Sequence, residues 1–242
     1  MKPPLRIALL QAAQTSSDVA GNLARIDRAA REAAAAGAQL LVTPEMFLTG
    51  YDIGAEAAGR LAEVADGGSA RAVADIARGA GIALAYGYPE RDGESVFNAA
   101  QLIDAQGRRV ANYRKQQLYG ELDRSMFTPG TTDCPVVALH GWRLALLICY
   151  DIEFAEPAQR LVAAGAELIV VPTANMIAFD EVPLSMLPAR AREEHVAIAY
   201  ANCCGREGSL QYGGLSVVVA SDGRVLAQAG RDEELLLATL NP

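Results

Sequence analysis

The stretch Val96-Phe97-Asn98-Ala99-Ala100-Gln101-Leu102-Ile103, then Asp104-Ala105-Gln106-Gly107, then Val110-Ala111-Asn112-Tyr113, decides the fold class. Two strand-length apolar runs flank a cluster of turn residues, so the chain doubles back as a hairpin instead of crossing over through a helix. The segments upstream obey a different rule. Arg6 to Leu10 reads as a buried strand, and residues 18–36 as an Ala-rich helix with Leu23, Ile26 and Ala30, Ala33 and Ala34 at helical spacing and Gly37 as its stop. Gln39 to Thr43 is a second strand, broken by Pro44. A helix near 68–79 ends at Gly79-Ala80-Gly81, and Ile82 to Tyr86 follows as a third strand.

Downstream, Val136 to Leu139 and Arg143 to Ile148 flank His140-Gly141-Trp142 as another hairpin. Leu168 to Val171 and Val196 to Ala201 read as buried strands, each preceded by a helical stretch. Leu215 to Ala220 and Val225 to Ala229 pair across Ser221-Asp222-Gly223-Arg224. Helical crossovers mixed with hairpins predict an α/β fold with two mixed β-sheets, packed face to face and covered outside by helices. No repeat, low-complexity tract or linker divides the chain, so one domain over residues 1–242 is expected.

Composition narrows the function. With 51% hydrophobic and 21% charged residues there is material for a large core and no case for disorder. A net charge of −8 and a pI near 4.9 argue against a nucleic-acid or anionic-membrane surface. No apolar run approaches the roughly 18 residues of a spanning helix. The start, Met1-Lys2-Pro3-Pro4-Leu5-Arg6, leads into too short an apolar run for a signal-peptide core, so a cytoplasmic address is expected. The four cysteines, Cys134, Cys149, Cys203 and Cys204, are then expected as reduced thiols. With two histidines and neither C-x-x-C nor H-E-x-x-H, no metal site is expected, and no motif calls for a cofactor. Gly213-Gly214 reads as a turn, because no phosphate-binding glycine motif accompanies it.

Three reactive side chains stand just after strands, where α/β proteins tend to place sites. They are Glu45 in Pro44-Glu45-Met46-Phe47, Lys115 in Tyr113-Arg114-Lys115, and Cys149 in Ile148-Cys149-Tyr150-Asp151. Together they form a hydrolytic set. A thiol attacks well only after losing its proton, and a carboxylate raised towards neutrality can take it. Attack on an amide carbonyl leaves negative charge on oxygen, which an ammonium and the Tyr150 backbone N–H can hold. Taken singly each residue has a plainer reading: a core cysteine, a solvated glutamate, a surface basic pair. A cysteine–histidine dyad is the competitor. His140 lies a strand's length from Cys149, roughly 30 Å at about 3.3 Å per residue. His195, at a helix end, suits the helix dipole better.

The three segments together, in order and across almost the whole chain, resemble the nitrilase, or carbon–nitrogen hydrolase, superfamily. The likeness extends to Pro172-Thr173-Ala174-Asn175-Met176, Ala189-Arg190-Ala191-Arg192-Glu193 and Tyr200-Ala201-Asn202. The resemblance implies a four-layer α-β-β-α sandwich, a homodimer or higher homo-oligomer, Glu45 as general base, Lys115 as oxyanion partner and Cys149 as the acylated nucleophile. It also implies an auxiliary carboxylate before Phe127-Thr128-Pro129-Gly130. Asp123 fits that position by distance and Glu121 by residue type. Cys149-Tyr150-Asp151 resembles the amidase branches, and Ile152-Glu153 lacks the basic residue that carbamoyl hydrolases often carry. The expected function is therefore hydrolysis of a small aliphatic or amino-acid amide. An N-carbamoyl hydrolase, or a catalytically silent binding protein on the same scaffold, is the alternative. Tyr51, Tyr119, Asn175 and Phe179 are candidates to line the substrate pocket, with packing of the loops an equal reading; Asn175 suits a loop turn as well. Cys203 and Cys204 are read as packing residues, and Glu153 as a partner for neighbouring backbone or arginine groups.

Overall fold

Strand alternation sorts the apolar side chains of Leu5–Ala13 (β1) between two cores. Ile7 and Leu9 face a second sheet, whereas Ala8 faces Val19–Ala35 (α1). Leu40–Val42 (β2) repeats the pattern, with Leu40 and Val42 facing one way and Leu41 the other. In this computed structural model, which describes residues 2–242, that rule builds four layers.

The first sheet continues, after Gly54–Leu61 (α2) and Gly68–Ala80 (α3), with Ala83–Asp92 (β3), Ser95–Ile103 (β4) and Arg109–Arg114 (β5). Strands β1, β2 and β3 are parallel neighbours, and β3, β4 and β5 an antiparallel meander. After Gly120–Met126 (α4), the second sheet gathers Val137–Leu139 (β6), Trp142–Leu146 (β7) and, past Ala155–Ala163 (α5), Leu168–Pro172 (β8). Beyond Leu187–Glu194 (α6) comes Ala197–Ala201 (β9), and β7, β8 and β9 are parallel. Short Cys203–Cys204 (β10) pairs with the end of β1. Arg206–Glu207 (β11) and Leu210–Gln211 (β12) form a small hairpin, and Val217–Val219 (β13) and Val225–Gln228 (β14) complete the second sheet. Both large sheets are mixed, as the hairpin–crossover pattern predicted.

Besides the two-residue strands β10, β11 and β12, one long strand escaped the sequence reading. Glu234–Leu240 (β15) runs antiparallel along β1, from Leu5 opposite Leu240 to Gln11 opposite Glu234. Its partner lies at the other end of the chain, so no turn signal links the two. The third strand also runs on to Asp92 instead of ending near Tyr86, through Gly87 and Pro89. Gly87 allows a close approach that positions the site. A β-carbon there would fall inside contact distance of the Met46 amide nitrogen and 3.0 Å from the Glu45 α-carbon.

The apolar faces meet in a single large core. Leu9, Val42 and Ala85 from the first sheet share one cluster with residues of both faces of the second, Leu144, Ile169 and Ile198 among them, and with Leu161, Leu187 and Ala191 of α5 and α6. Helices α1 and α3 cover the first sheet through Ile26, Ala30, Val73 and Ala77. Among the described residues no helix is long and apolar enough to cross a membrane.

Candidate active site

The parallel strands of both sheets end at one edge of the sandwich, and the turns that follow hold the three predicted side chains. Residues 43–45 follow β2, Lys115 follows β5, and Cys149 follows β7. The Glu45 amide donates to the Thr173 carbonyl after β8 at 3.2 Å, joining the two sheets beside the site. Met46 and Cys149 both take left-handed backbone, with φ of 52° and 45°. Such strain in non-glycine residues gathers at functional turns.

Glu45, Lys115 and Asp123 are all fully buried. The Lys115 Nζ donates to Glu45 Oε1 and to Asp123 Oδ2, each at 2.7 Å. Asn98 Nδ2 donates to the same Glu45 oxygen at 2.7 Å, and the Tyr119 amide to Asp123 Oδ2 at 2.9 Å. The other oxygens, Glu45 Oε2 and Asp123 Oδ1, are buried with no donor. Buried acceptors without partners are rare because each forfeits its hydration. Here two flank one ammonium.

Burial pushes the Glu45 carboxyl above the usual carboxylate range; the Lys115 charge opposes this and Asp123 adds to it. Burial works against the Lys115 charge, yet Glu45 and Asp123 outweigh it and hold the ammonium well above the ordinary lysine value. The Cys149 thiol is pushed well up by burial and then by the Glu45 charge, with Lys115 and the Ala174 amide pulling the other way. A neutral thiol beside a carboxylate of raised pKa is a donor–acceptor pair for one proton.

Several sequence expectations are resolved by these positions. Asp123, not Glu121, meets the lysine, whereas Glu121 is exposed on the outer side of α4. Both lie in that short helix, and only the helical rotation separates them. The Tyr51 ring lies 5.8 Å from Lys115 Nζ. Tyr119 and Phe179 meet edge to face, with centroids 5.8 Å apart. Asn175 acts on its own loop. Its Nδ2 donates to the Phe179 carbonyl at 3.0 Å and its amide to Asn202 Oδ1 at 2.7 Å, the contacts of a residue that shapes its loop.

The histidines stand elsewhere. His195 caps the C-terminus of α6 in left-handed backbone and borders a recess of about 510 Å³ with Lys2, Trp142 and Glu167. That recess and His140 flank the starts of the parallel strands, whereas Cys149 and Thr173 follow their ends. All four cysteines are free and buried, and Cys203 takes a bond from Gln14 Nε2 at 3.0 Å. Among the described residues, no group of histidine, cysteine and carboxylate side chains is arranged to hold a metal.

Two contributors were not foreseen. Asn98 could have been found, as the one polar residue among Val96, Phe97, Ala99 and Ala100 in a buried strand. Asp151 carries a less visible signal. Its Oδ1 accepts the Gln116 and Gln117 amides at 3.2 and 2.8 Å, and its Oδ2 the Ile148 amide and the Tyr113 hydroxyl at 3.1 and 3.0 Å. It thereby ties the turn after Lys115 to the turn before Cys149. Burial pushes its carboxyl up to about 6 in spite of these donors. Asp151→Ala strands three backbone N–H groups, each costing roughly 1–3 kcal/mol. The expected result is a lower unfolding midpoint in urea and a larger fall in kcat than in kcat-independent substrate binding.

The comparisons agree with this geometry. The profile of the family described as carbon-nitrogen hydrolase matches residues 6–242. A Pseudomonas protegens protein named "Hydrolase in pqqF 5'region" is 55% identical over 98% of this chain and 83% of its own length. An (R)-stereoselective amidase from Pseudomonas sp. is 34% identical over 95% of this chain and 82% of its own. The crystal structure of an amidase from Nesterenkonia sp. superposes with a TM-score of 0.89 at 40% identity, covering 98% of this chain and 90% of that one. Profile, relatives and superposition agree along nearly the full length, and the chain belongs to the carbon–nitrogen hydrolase family, within the nitrilase superfamily.

Proposed function

We propose that this carbon–nitrogen hydrolase is an amidase that converts a small aliphatic or amino-acid amide into a carboxylic acid and ammonia, with residues 1–242 acting as one catalytic domain. The observation that carries this reading is the pair of buried carboxylate oxygens, Glu45 Oε2 and Asp123 Oδ1, left without donors beside Lys115. A carboxamide offers two N–H donors and a carbonyl oxygen, matching two acceptors and a cation. A nitrile offers no N–H. The Nesterenkonia amidase has been captured with acrylamide and with butyramide, which supports the same substrate class.

In this reading Glu45 takes the Cys149 proton as sulfur bonds to the carbonyl carbon. The oxyanion rests on Lys115 Nζ and the Tyr150 amide, which lies in the opening turn of the 3₁₀ helix Cys149–Glu153, where N–H groups lack intrahelical partners. The C–N bond breaks as Glu45 returns the proton to nitrogen, releasing ammonia and leaving a thioester. Glu45 then draws a proton from water as it attacks that thioester, and the C–S bond breaks as Glu45 returns the proton to the Cys149 sulfur, releasing the acid. Asp123 holds Lys115 against the site throughout.

The test compares butyramide with butyronitrile. Ammonia release from the amide with a stoichiometric mass adduct on Cys149 is expected, and the nitrile should react about 10⁴-fold more slowly, as sites built around a substrate N–H reject analogues lacking it. Equal turnover of the nitrile overturns the amidase reading. Carbon dioxide released with ammonia from N-carbamoyl amines, at rates above those for amides, would favour the carbamoyl alternative.

A further inference from the structure

The mouth of the site combines aromatic walls with an unpaired carboxylate. Tyr150, next to Cys149, meets Tyr119 edge to face at 5.5 Å with an interplanar angle of 82°, and meets Phe154 at 5.0 Å and 82°. Phe179 meets Tyr119 at 78°. Rings set nearly at right angles form the corner of a box, and aromatic faces attract cations. The same 3₁₀ helix that begins at Cys149 ends at Glu153, between Tyr150 and Phe154 in sequence. Among the described residues the half-buried Glu153 carboxylate has neither a hydrogen-bond donor nor an ion-pair partner; only its backbone carbonyl is engaged, by Arg190 Nη2 at 3.1 Å. Residues three apart eclipse in a 3₁₀ helix, so Glu153 stacks on the same side as Tyr150, the neighbour of Cys149; burial pushes its carboxyl up to about 7.

Of the cations nearby, Lys115 is held by two carboxylates and Arg231 by Asp180 at 2.5 Å. Arg190 bonds the Glu153 carbonyl and faces Glu194 at 3.9 Å, and its Nε is buried without a partner among the described residues. Glu181 adds a further negative charge within reach of Glu153.

We infer that Glu153, with the Tyr119, Tyr150 and Phe179 rings, selects amides whose far end carries an ammonium group and turns away those whose far end is a carboxylate. This rests on the amidase reading and narrows its substrate class to amides of amino-bearing acids. Glu153 attracts the ammonium and the ring faces enclose it, while the reacting carboxamide sits between Lys115, Glu45 and Cys149. A carboxylate in that place meets the carboxylates of Glu153 and Glu181.

The test measures kcat/KM at about pH 8, above the raised Glu153 value and with the substrate ammonium still protonated, for three amides of similar length: 3-aminopropanamide, butyramide and succinamic acid. The wild type should prefer the ammonium over the carboxylate substrate by about tenfold or more. Glu153→Gln should collapse that ratio, mainly through KM, and Glu153→Lys should reverse it. Preference of the wild type for succinamic acid, or a ratio that neither substitution moves, overturns the inference. Failure of the wild type to hydrolyse any of the three, butyramide included, would instead refute the amidase reading beneath it.

Discussion

Cys149→Ala is expected to lower kcat by about 10⁴- to 10⁶-fold, the scale on which removal of a covalent nucleophile acts. The loss is that large because the other groups act only through the sulfur. Glu45 has no proton to take, and Lys115 has no oxyanion to hold. The fold should persist. Cys149 is a small side chain at the start of the 3₁₀ helix after β7, and its truncation leaves the Lys115–Glu45–Asp123 cluster intact. Far-UV circular dichroism and the thermal midpoint should therefore stay near wild type while ammonia release and the acyl adduct both vanish. Retained activity in this variant would remove sulfur from the mechanism altogether.

Lys115→Met should abolish activity and also destabilise the protein, by about 3–5 kcal/mol, because it leaves two buried carboxylates facing each other without a cation. Its pH dependence distinguishes this from simple loss of packing. Without the ammonium, burial and mutual repulsion both drive the Glu45 and Asp123 carboxyls above their unfolded values. A carboxyl whose folded pKa is raised binds more protons in the folded state, so its contribution is present below the unfolded value and lost as pH rises through the folded one. The variant should accordingly be more stable near pH 5 than near pH 8, by urea melts at both. A variant equally destabilised at the two pH values would show that the carboxylates are not close enough to repel.

Much of this architecture was written in local pattern. Buried runs such as Leu168 to Val171 and the turn at Asp104 to Gly107 name their structure because both causes, apolar periodicity and turn chemistry, lie within a few residues. Strand β15 was invisible for the opposite reason: its pairing with β1 joins the two ends of the described chain. The candidate site divides the same way. Glu45, Lys115 and Cys149 stood out through the short motifs around them, but no spacing announces that Lys115 lies 2.7 Å from two carboxylates. The choice between Glu121 and Asp123 waited on the rotation of α4, since both residue types suit the chemistry and only one faces inward. The aromatic corner of Tyr119, Tyr150, Phe154 and Phe179 draws on separate loops and has no sequence signature.

The Glu45 amide reaches across to the Thr173 carbonyl, and with it the chemistry is shared between halves of the molecule. Glu45, Asn98 and Lys115 hang from one sheet, and Cys149 from the other. In the proposed mechanism neither half-molecule carries a working set, so trimming the chain to either sheet should leave no hydrolase. On that mechanism slippage at the seam would draw Glu45 and Cys149 apart, and turnover would become a gauge of how tightly the two leaves are closed.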